Sequence, residues 1–307
     1  MVAETVDGIL LLDKPLGITS NAALQVAKRL LGARKAGHAG TLDPRATGLL
    51  PICFGEATKF AGILLDAQKT YTAEVRLGVT TTTGDAEGDV IDRRPVEVVG
   101  DRLHAVLTSF VGGYDQLPPA YSALKYHGRP YYEYARSGGT VPRVRRHVAI
   151  PDLTLDSREG DLVRFTVTCS KGTYIRSLAQ DIGDRLGCGA HLSGLRRLAS
   201  GPFQLANACT LSDLAEATID WRRAKLLAAD SPLSTLAEVV ISLEETMRLR
   251  NGQRIAAVPG TPVGLVRIYA FTRQFIGLGE ITRDTQLIPR RLVAAADLDH
   301  GSQGANL

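Results

Sequence analysis

Cysteine is scarce and unclustered in this chain. The four residues, Cys53, Cys169, Cys188 and Cys209, form no CxxC pair and no Cys/His cluster, so the paired-ligand arrangement of a structural zinc site is missing. Reduced, mostly buried thiols are expected instead. Long apolar runs are missing too. No stretch approaches the roughly 18 apolar residues of a membrane span. The N-terminal MVAETVDGILLLDKP places acids before a short apolar run, where a secretory leader carries Lys or Arg and a longer apolar core. The protein is therefore expected in the cytoplasm. There is no GxxxxGK[ST], no HExxH and no GxSxG, which removes the P-loop, the zincin helix and the nucleophile elbow. GHAG at 37–40 has the GxxG spacing of a KH clamp, but TLDP follows where a KH clamp leads into a helix.

A large excess of one charge is also absent. The 307 residues carry a net charge of +4, with 44% hydrophobic and 22% charged residues. That is the range of ordinary globular proteins, not of disordered ones. The length suits one large domain with a smaller one, or two of equal size. The cations are grouped: Lys28, Arg29, Arg34 and Lys35; Arg136, Arg143, Arg145 and Arg146; Arg196 and Arg197. Each group alone reads as a solvated face. Together, flanking the segments discussed below, they suggest a surface that follows phosphates, because each phosphate contact needs a cation nearby.

Residues 8–12, GILLL, predict a short buried strand. Thr19 or Ser20 can cap a following helix whose apolar positions are Ala23, Val26, Ala27, Leu30 and Leu31, ended by Gly32. KAGHAGTLDPRATGLLP, residues 35–51, is rich in glycine and proline without an apolar period and reads as a loop. Leu49–Phe54 suits a strand, and Ala57–Leu65 a short helix. Tyr71, Ala73, Val75, Leu77 and Val79 alternate with polar residues and predict a half-buried strand. A polar loop over 80–89, a helix near 98–111, a strand over 161–169 and a helix using Ile175, Leu178, Ala179, Ile182 and Leu186 follow. Five of the nine tyrosines lie from Tyr121 to Tyr134, interleaved with basic residues. Strands and helices mix without a βαβ repeat, which points to an α+β fold with a largely antiparallel sheet. DWRRAKLLAADSPLSTLAE reads as a helix entering a linker. From about 240 the pattern becomes short strands only, as in a small β-barrel, and residues 301–307 are expected to be disordered.

GHAGTLDPRATGLLP resembles the catalytic loop of the bacterial TruB family, the tRNA pseudouridine-55 synthases. KTYTAEVRLGVTTTTGDAEG, PPAYSALKYHGRPYYEYAR, KGTYIRSLAQDIG and GAHLSGLRRLASGPF resemble further family segments in family order, and FIGLGEI and PRRLV resemble the family's PUA-like C-terminal module. The resemblance implies a catalytic domain over 1–235, with an insertion near 120–147 that closes over tRNA, and an RNA-binding module over 240–300. It implies isomerisation of one uridine in the tRNA T-loop, with no cofactor and no metal, by a monomer without an obligatory protein partner, and allows assistance to tRNA folding.

Asp43 falls where the family has its catalytic carboxylate. Arg176 matches the arginine that holds this carboxylate by bidentate hydrogen bonds. Tyr71 matches a tyrosine that stacks on the target base and serves as general base. Tyr174 and Leu195 match other pocket residues, and His38 a histidine that fills the space left by the flipped base. The residues support these roles. An arginine at a helix start is disfavoured by the helix dipole unless a carboxylate stands near it, and a flipped base needs an aromatic face to replace its lost stacking. Taken alone, Asp43-Pro44 would be a turn, and Leu195 a core residue. Two other readings remain: a non-catalytic RNA-binding or RNA-folding protein, and a nucleoside or glycoside hydrolase. The second needs two carboxylates across the bond, and the loop offers one.

Overall fold

The alternation at Tyr71, Ala73, Val75 and Leu77 produces the strand around which the molecule is organised. The structure, a computed structural model, describes residues 6–122 and 124–294. In chain order, β1 (Gly8–Lys14) leads to α1 (Ser20–Leu30), β2 (Ala36–His38) and β3 (Ala46–Phe54); a 3₁₀ turn and α2 (Ala61–Asp66) return the chain into β4 (Lys69–Leu77). The hairpin of β5 (Val79–Thr81) and β6 (Val90–Arg93) and then α3 (Gly100–Thr108) follow. β7 (Tyr114–Gln116) opens a segment that holds β8 (Lys125–Tyr126), β9 (Arg129–Pro130) and α4 (Tyr131–Arg136) and is closed by β10 (Arg146–Val148), which pairs with β7. Next come β11 (Asp152–Glu159), β12 (Leu162–Cys169), α5 (Ile175–Leu186), β13 (Ala190–Ser200), β14 (Phe203–Gln204), α6 (Leu211–Glu216) and α7 (Ile219–Ala224).

The main sheet runs β1-β3-β13-β4-β12-β11, with β2 on β3 and β14 on β13. Only the β3–β13 ladder is parallel; the others are antiparallel. The fold is α+β, as the mixed pattern implied. Two cores lie side by side beneath the sheet. One packs Leu103 and Leu107 of α3 and Leu178, Ile182 and Leu186 of α5 against Ala73, Val75, Phe165 and Val167. The other packs Ala23, Leu24 and Ala27 of α1 and Leu214 of α6 against Leu10, Leu12, Leu50 and Ile52. Each fully buried Leu, Ile or Phe contributes about 1.5–3 kcal/mol. Tyr71 and Leu195 pack against both cores. Thr19 caps α1 by accepting a hydrogen bond from the Ala22 amide at 3.0 Å, and Gly32, at φ +66°, turns the chain away after it.

After α7, β15 (Ala237–Ile241), α8 (Leu243–Arg250), β16 (Ile255–Ala256), β17 (Gly264–Ala270), β18 (Phe275–Ile281) and β19 (Gln286–Leu292) form a second, five-stranded sheet in the order β15-β17-β18-β19-β16. It has its own core of Val239, Ile268, Leu287 and neighbours. Phe60, Leu233 and Leu278 join it to the first sheet's 3₁₀ turn, and Lys59 Nζ donates to the Leu292 carbonyl at 2.9 Å.

Three expectations need correction. The predicted loop over 35–51 is shorter: β2 and β3 take both its ends, leaving 39–45. β3 is buried on both faces, so it shows no alternation. The predicted linker after α7 is part of the fold, because Leu227 and Ile9 exchange backbone hydrogen bonds of 2.9 and 2.8 Å. The C-terminal segment is not strands alone. Ser242 and Glu245 form a capping box that starts α8. The expected disorder of 301–307 lies outside the described residues, as does the end of the 240–300 segment. The four cysteines are buried and unpaired. No helix among the described residues is long and apolar enough to cross a membrane.

Candidate active site

Two elements far apart in sequence present the reactive groups at one place. The loop 39–45 is pinned from inside. Leu42 is buried, its amide donates to Ser20 Oγ at 2.8 Å, and Ser20 Oγ donates back to the Leu42 carbonyl at 2.9 Å. The next residue, Asp43, is turned outward, with its side chain 50% exposed. Arg176, in the first turn of α5, meets it with Nη2 at 3.2 Å and is itself only 10% exposed.

The guanidinium does not grip Asp43 bidentately, as the resemblance implied. Its two ends are divided. Nη2 also donates to the Tyr121 carbonyl at 2.8 Å, while Nη1 faces Asp85 at 3.5 Å and the Thr83 carbonyl at 3.5 Å. Asp85 is 11% exposed and firmly held. Its Oδ1 accepts from Thr83 Oγ1 at 2.5 Å and from the Glu87 amide at 3.0 Å. Arg176 thus sits between a buried carboxylate and a solvent-facing one. Both offset the cost of a cation at the start of α5.

Tyr71 is half-buried on β4. Burial pushes its phenol above the ordinary value, and the charge and hydrogen bonding of the Arg197 guanidinium pull the other way. Asp43 is near enough for its charge to bear on the phenol. Leu195 lies next to Tyr71 on the neighbouring strand, opposite Ala73 and Ala46. Tyr174 immediately precedes α5 and is fixed by Gln116, which donates to the Tyr174 carbonyl at 3.0 Å and accepts from its amide at 2.8 Å. Burial raises its phenol as well.

His38 is on a strand, not in a loop. It pairs with Ile52 in the β2–β3 ladder, and its Nδ1 is buried with no hydrogen-bond partner among the described residues. Burial first, and then Arg197, hold its imidazole below the ordinary value. The structure therefore brings Arg176, Tyr71 and Tyr174 within contact or electrostatic reach of Asp43 and packs Leu195 with Tyr71, whereas His38 is linked to this group only through Arg197.

Arg197 departs from the sequence reading. Its position beside Arg196 predicts a phosphate-facing pair, but it is 1% exposed. Its Nε donates to the Leu49 carbonyl at 2.6 Å and its Nη2 to the Gly40 carbonyl at 3.1 Å. Arg196 is occupied by Asp13, at 2.7 and 3.1 Å. Lys14 is likewise fully buried, with Nζ donating to the Pro15 and Ile18 carbonyls. Burial lowers its pKa, and Asp43 opposes that.

Asp85, Arg197 and Gln116 were missed by the sequence reading. Asp85 carried one signal, an acid between glycines in a threonine run. Arg197 and Gln116 carried none. Basic side chains of the β7–β10 segment do remain exposed, among them Arg136, Arg143, Arg145 and Arg146. Its tyrosines meet edge to face and carry arginines over their rings: Tyr126 lies 6.1 Å from Tyr134, and Arg129 lies 4.8 Å over Tyr134. A separate cavity of about 530 Å³ at the far end of β4, lined by Arg76, Arg93 and His191, contains none of these six residues.

Comparison with known proteins gives the family. Residues 28–175 match the N-terminal domain of the TruB family pseudouridylate synthases, residues 176–248 the tRNA pseudouridylate synthase B C-terminal domain, and residues 237–293 the pseudouridine synthase II TruB C-terminal domain. A tRNA pseudouridine synthase B of Methylobacillus flagellatus is 50% identical over 96% of this chain and 98% of its own. One from Burkholderia mallei is 52% identical over 95% and 99%. Among solved structures, a Cbf5-Nop10-Gar1 complex superposes with a TM-score of 0.70 at 30% identity, covering 90% of this chain and 79% of the other. An H/ACA RNP bound to a substrate RNA containing 2'-deoxyuridine gives 0.72 at 28% identity, covering 94% and 86%.

Proposed function

The chain belongs to the TruB family of pseudouridylate synthases, and on that premise we propose that it converts uridine 55 in the T-loop of tRNA to pseudouridine, with Asp43 as the reacting carboxylate. The reaction breaks the N1–C1′ bond, turns the base and joins C5 to C1′. It is an isomerisation with no net oxidation, so it calls on acid–base and carboxylate chemistry alone. The uridine must leave the folded loop to be reached. Tyr71 and Leu195 then receive the base, Tyr174 lines the pocket, and His38 takes the space the base has left. Arg176 fixes Asp43 against the nucleotide. Tyr71 takes the C5 proton at the end of the reaction.

The observation that carries this reading is Asp43 itself: a half-exposed carboxylate on a pinned loop, met by a buried guanidinium and within electrostatic reach of a half-buried phenol. A hydrolase reading gains nothing from Asp85. That carboxylate is buried behind Arg176, whereas a glycosidase pair faces an open bond from both sides.

In the same reading the segment between β7 and β10 closes over the tRNA, residues 1–235 form the catalytic domain, and the module from about 240 contacts RNA. The protein acts as a monomer in the cytoplasm, and its grip on the loop also assists tRNA folding. The test is Asp43→Asn. It should bind tRNA as the parent does and form no pseudouridine, as mapped chemically in tRNA. Undiminished isomerisation by the variant would remove Asp43 from the mechanism.

A further inference from the structure

We propose that Arg197 is a positioning residue for this reaction, holding the Tyr71 phenol from inside the core and stabilising negative charge on its oxygen when the C5 proton is taken. The proposal rests on the pseudouridine-forming reading above.

The geometry begins with the sheet register. Arg197, on β13, is the direct cross-strand partner of Tyr71 on β4 and, on its other side, of Gly48 on β3. Side chains directly opposite in a ladder lie about 4.5–5.5 Å apart at Cβ. The backbone of β3 is shaped to admit this strand. Gly48 has φ +97°, and a Cβ there would lie 2.3 Å from the Arg197 carbonyl oxygen. A Cβ on Gly40 would meet Arg197 Nη1 at 3.3 Å. Arg197 Nη2 donates to the Gly40 carbonyl, in the same loop as Asp43. One side chain therefore ties β13, the strand beside that of Tyr71, to the loop of Asp43.

The charge is the second observation. Arg197 is fully buried, yet its hydrogen-bond partners are the neutral Leu49 and Gly40 carbonyls and the Tyr71 phenol, and no carboxylate among the described residues pairs with it. An unpaired buried cation is costly, and an apolar side chain of the same volume would pack at less cost. Such a charge is expected where an anion is to form. Arg197 bears on Lys14, His38 and Lys69, whose charged forms it disfavours, and on Tyr71, whose charged form it favours. The groups facing the Tyr71 phenol are Arg197 from β13, Cys169 from β12 and Asp43 from the loop. Of these, Arg197 alone stabilises a phenolate.

The step it serves is balanced. Once C5 is joined to C1′, the base holds an N1=C6 double bond and a hydrogen on C5. The C5–H bond breaks and its electron pair becomes the C5=C6 bond. The N1=C6 pair moves onto N1, which takes a proton from water. The Tyr71 phenol hands its own proton through that water to N1, and the phenolate oxygen so formed takes the C5 proton, which restores the phenol. A guanidinium donating to that oxygen gives the charge-assisted hydrogen bond that the phenolate form needs.

The experiment uses the full chain and a tRNA transcript with protium or deuterium at C5 of the target uridine. The parent must first form pseudouridine; if it forms none, the earlier reading fails, independently of Arg197. Arg197→Met and Arg197→Lys are then compared under single turnover, with Arg197→Lys as the variant that keeps a cation should Arg197→Met not fold. Turnover of bound tRNA is expected to fall about 10²-fold or more. The tRNA dissociation constant should hold, and the deuterium isotope effect should rise above that of the parent. In a Tyr71→Phe background the same Arg197 substitution should slow turnover no further. An unchanged isotope effect, or an Arg197 substitution equally harmful with and without the phenol, would overturn the proposal.

Discussion

Arg176 and Asp85 meet at 3.5 Å with both side chains almost out of solvent, while the same guanidinium reaches the exposed Asp43 from its other end. Asp85 therefore sets how Arg176 is aimed. Asp85→Asn keeps the shape and removes the charge. Single-turnover rates should drop on the order of 10²-fold, the scale of a small misplacement of reacting groups, and tRNA affinity should change far less. Full activity in that variant would show that Arg176 is aimed by the Tyr121 and Thr83 carbonyls alone.

Tyr71→Phe separates stacking from proton transfer. A phenyl ring retains the base–aromatic contact, worth about 1–3 kcal/mol, so tRNA binding should survive. Turnover should fall by about 10²–10⁴-fold, the usual contribution of a general acid or base. Equal losses in affinity and rate would mean that the hydroxyl has no specific part in the chemistry.

His38 gives a pH dependence of stability. Its folded pKa lies below 6.5 because burial and Arg197 oppose the charged ring. As pH falls through 6.5, the unfolded chain takes up a proton that the folded chain refuses. The folded state therefore loses stability on the acid side, until pH reaches the lower folded value. His38→Gln removes this component. Urea denaturation of parent and variant between about pH 7 and pH 5 should show the smaller loss in the variant. Parallel curves would argue that the ring is accommodated equally in both protonation states.

Gly48 tests the backbone beneath the site. Alanine at φ +97°, with its Cβ driven into the Arg197 backbone, should destabilise by at least about 1–3 kcal/mol. It should lower the urea midpoint without changing the slope. Alanine at Gly62, where a Cβ meets nothing within 4 Å, should be nearly neutral and serves as the control.

Salt should report the phosphate contacts. Affinity for tRNA should fall linearly on a log–log plot against salt, and replacing the exposed Arg143 and Arg145 by alanine should flatten the slope by about one to two units. An unaltered slope would place the phosphate contacts elsewhere on the surface.

The sequence disclosed what is contiguous and hid what is paired across distance. Asp43, Arg176 and Tyr71 each lie in an uninterrupted motif, and the strand of Tyr71 announces itself by alternation. Arg197 could not be placed that way. Beside Arg196 it looks like one more surface cation, and only the register of β13 against β3 and β4 turns it inward. Asp85 is defined by its partner 91 residues later, Arg176. The start of β3, residues 46–48, reads as loop because the strand is buried on both faces and shows no alternation; its later part, residues 49–54, is legible. The start of α8 could have been read from Ser242 and Glu245, the spacing of a capping box, but the surrounding short strands masked it.

The seat of Tyr71 and Leu195 between the two hydrophobic cores has a consequence for assembly. Neither half of the large domain can offer a competent pocket by itself, since each supplies only one wall. Catalysis should consequently appear late during refolding, after both halves have condensed and docked. Recovery of turnover would then time completion of the whole domain, lagging behind any optical probe of secondary structure.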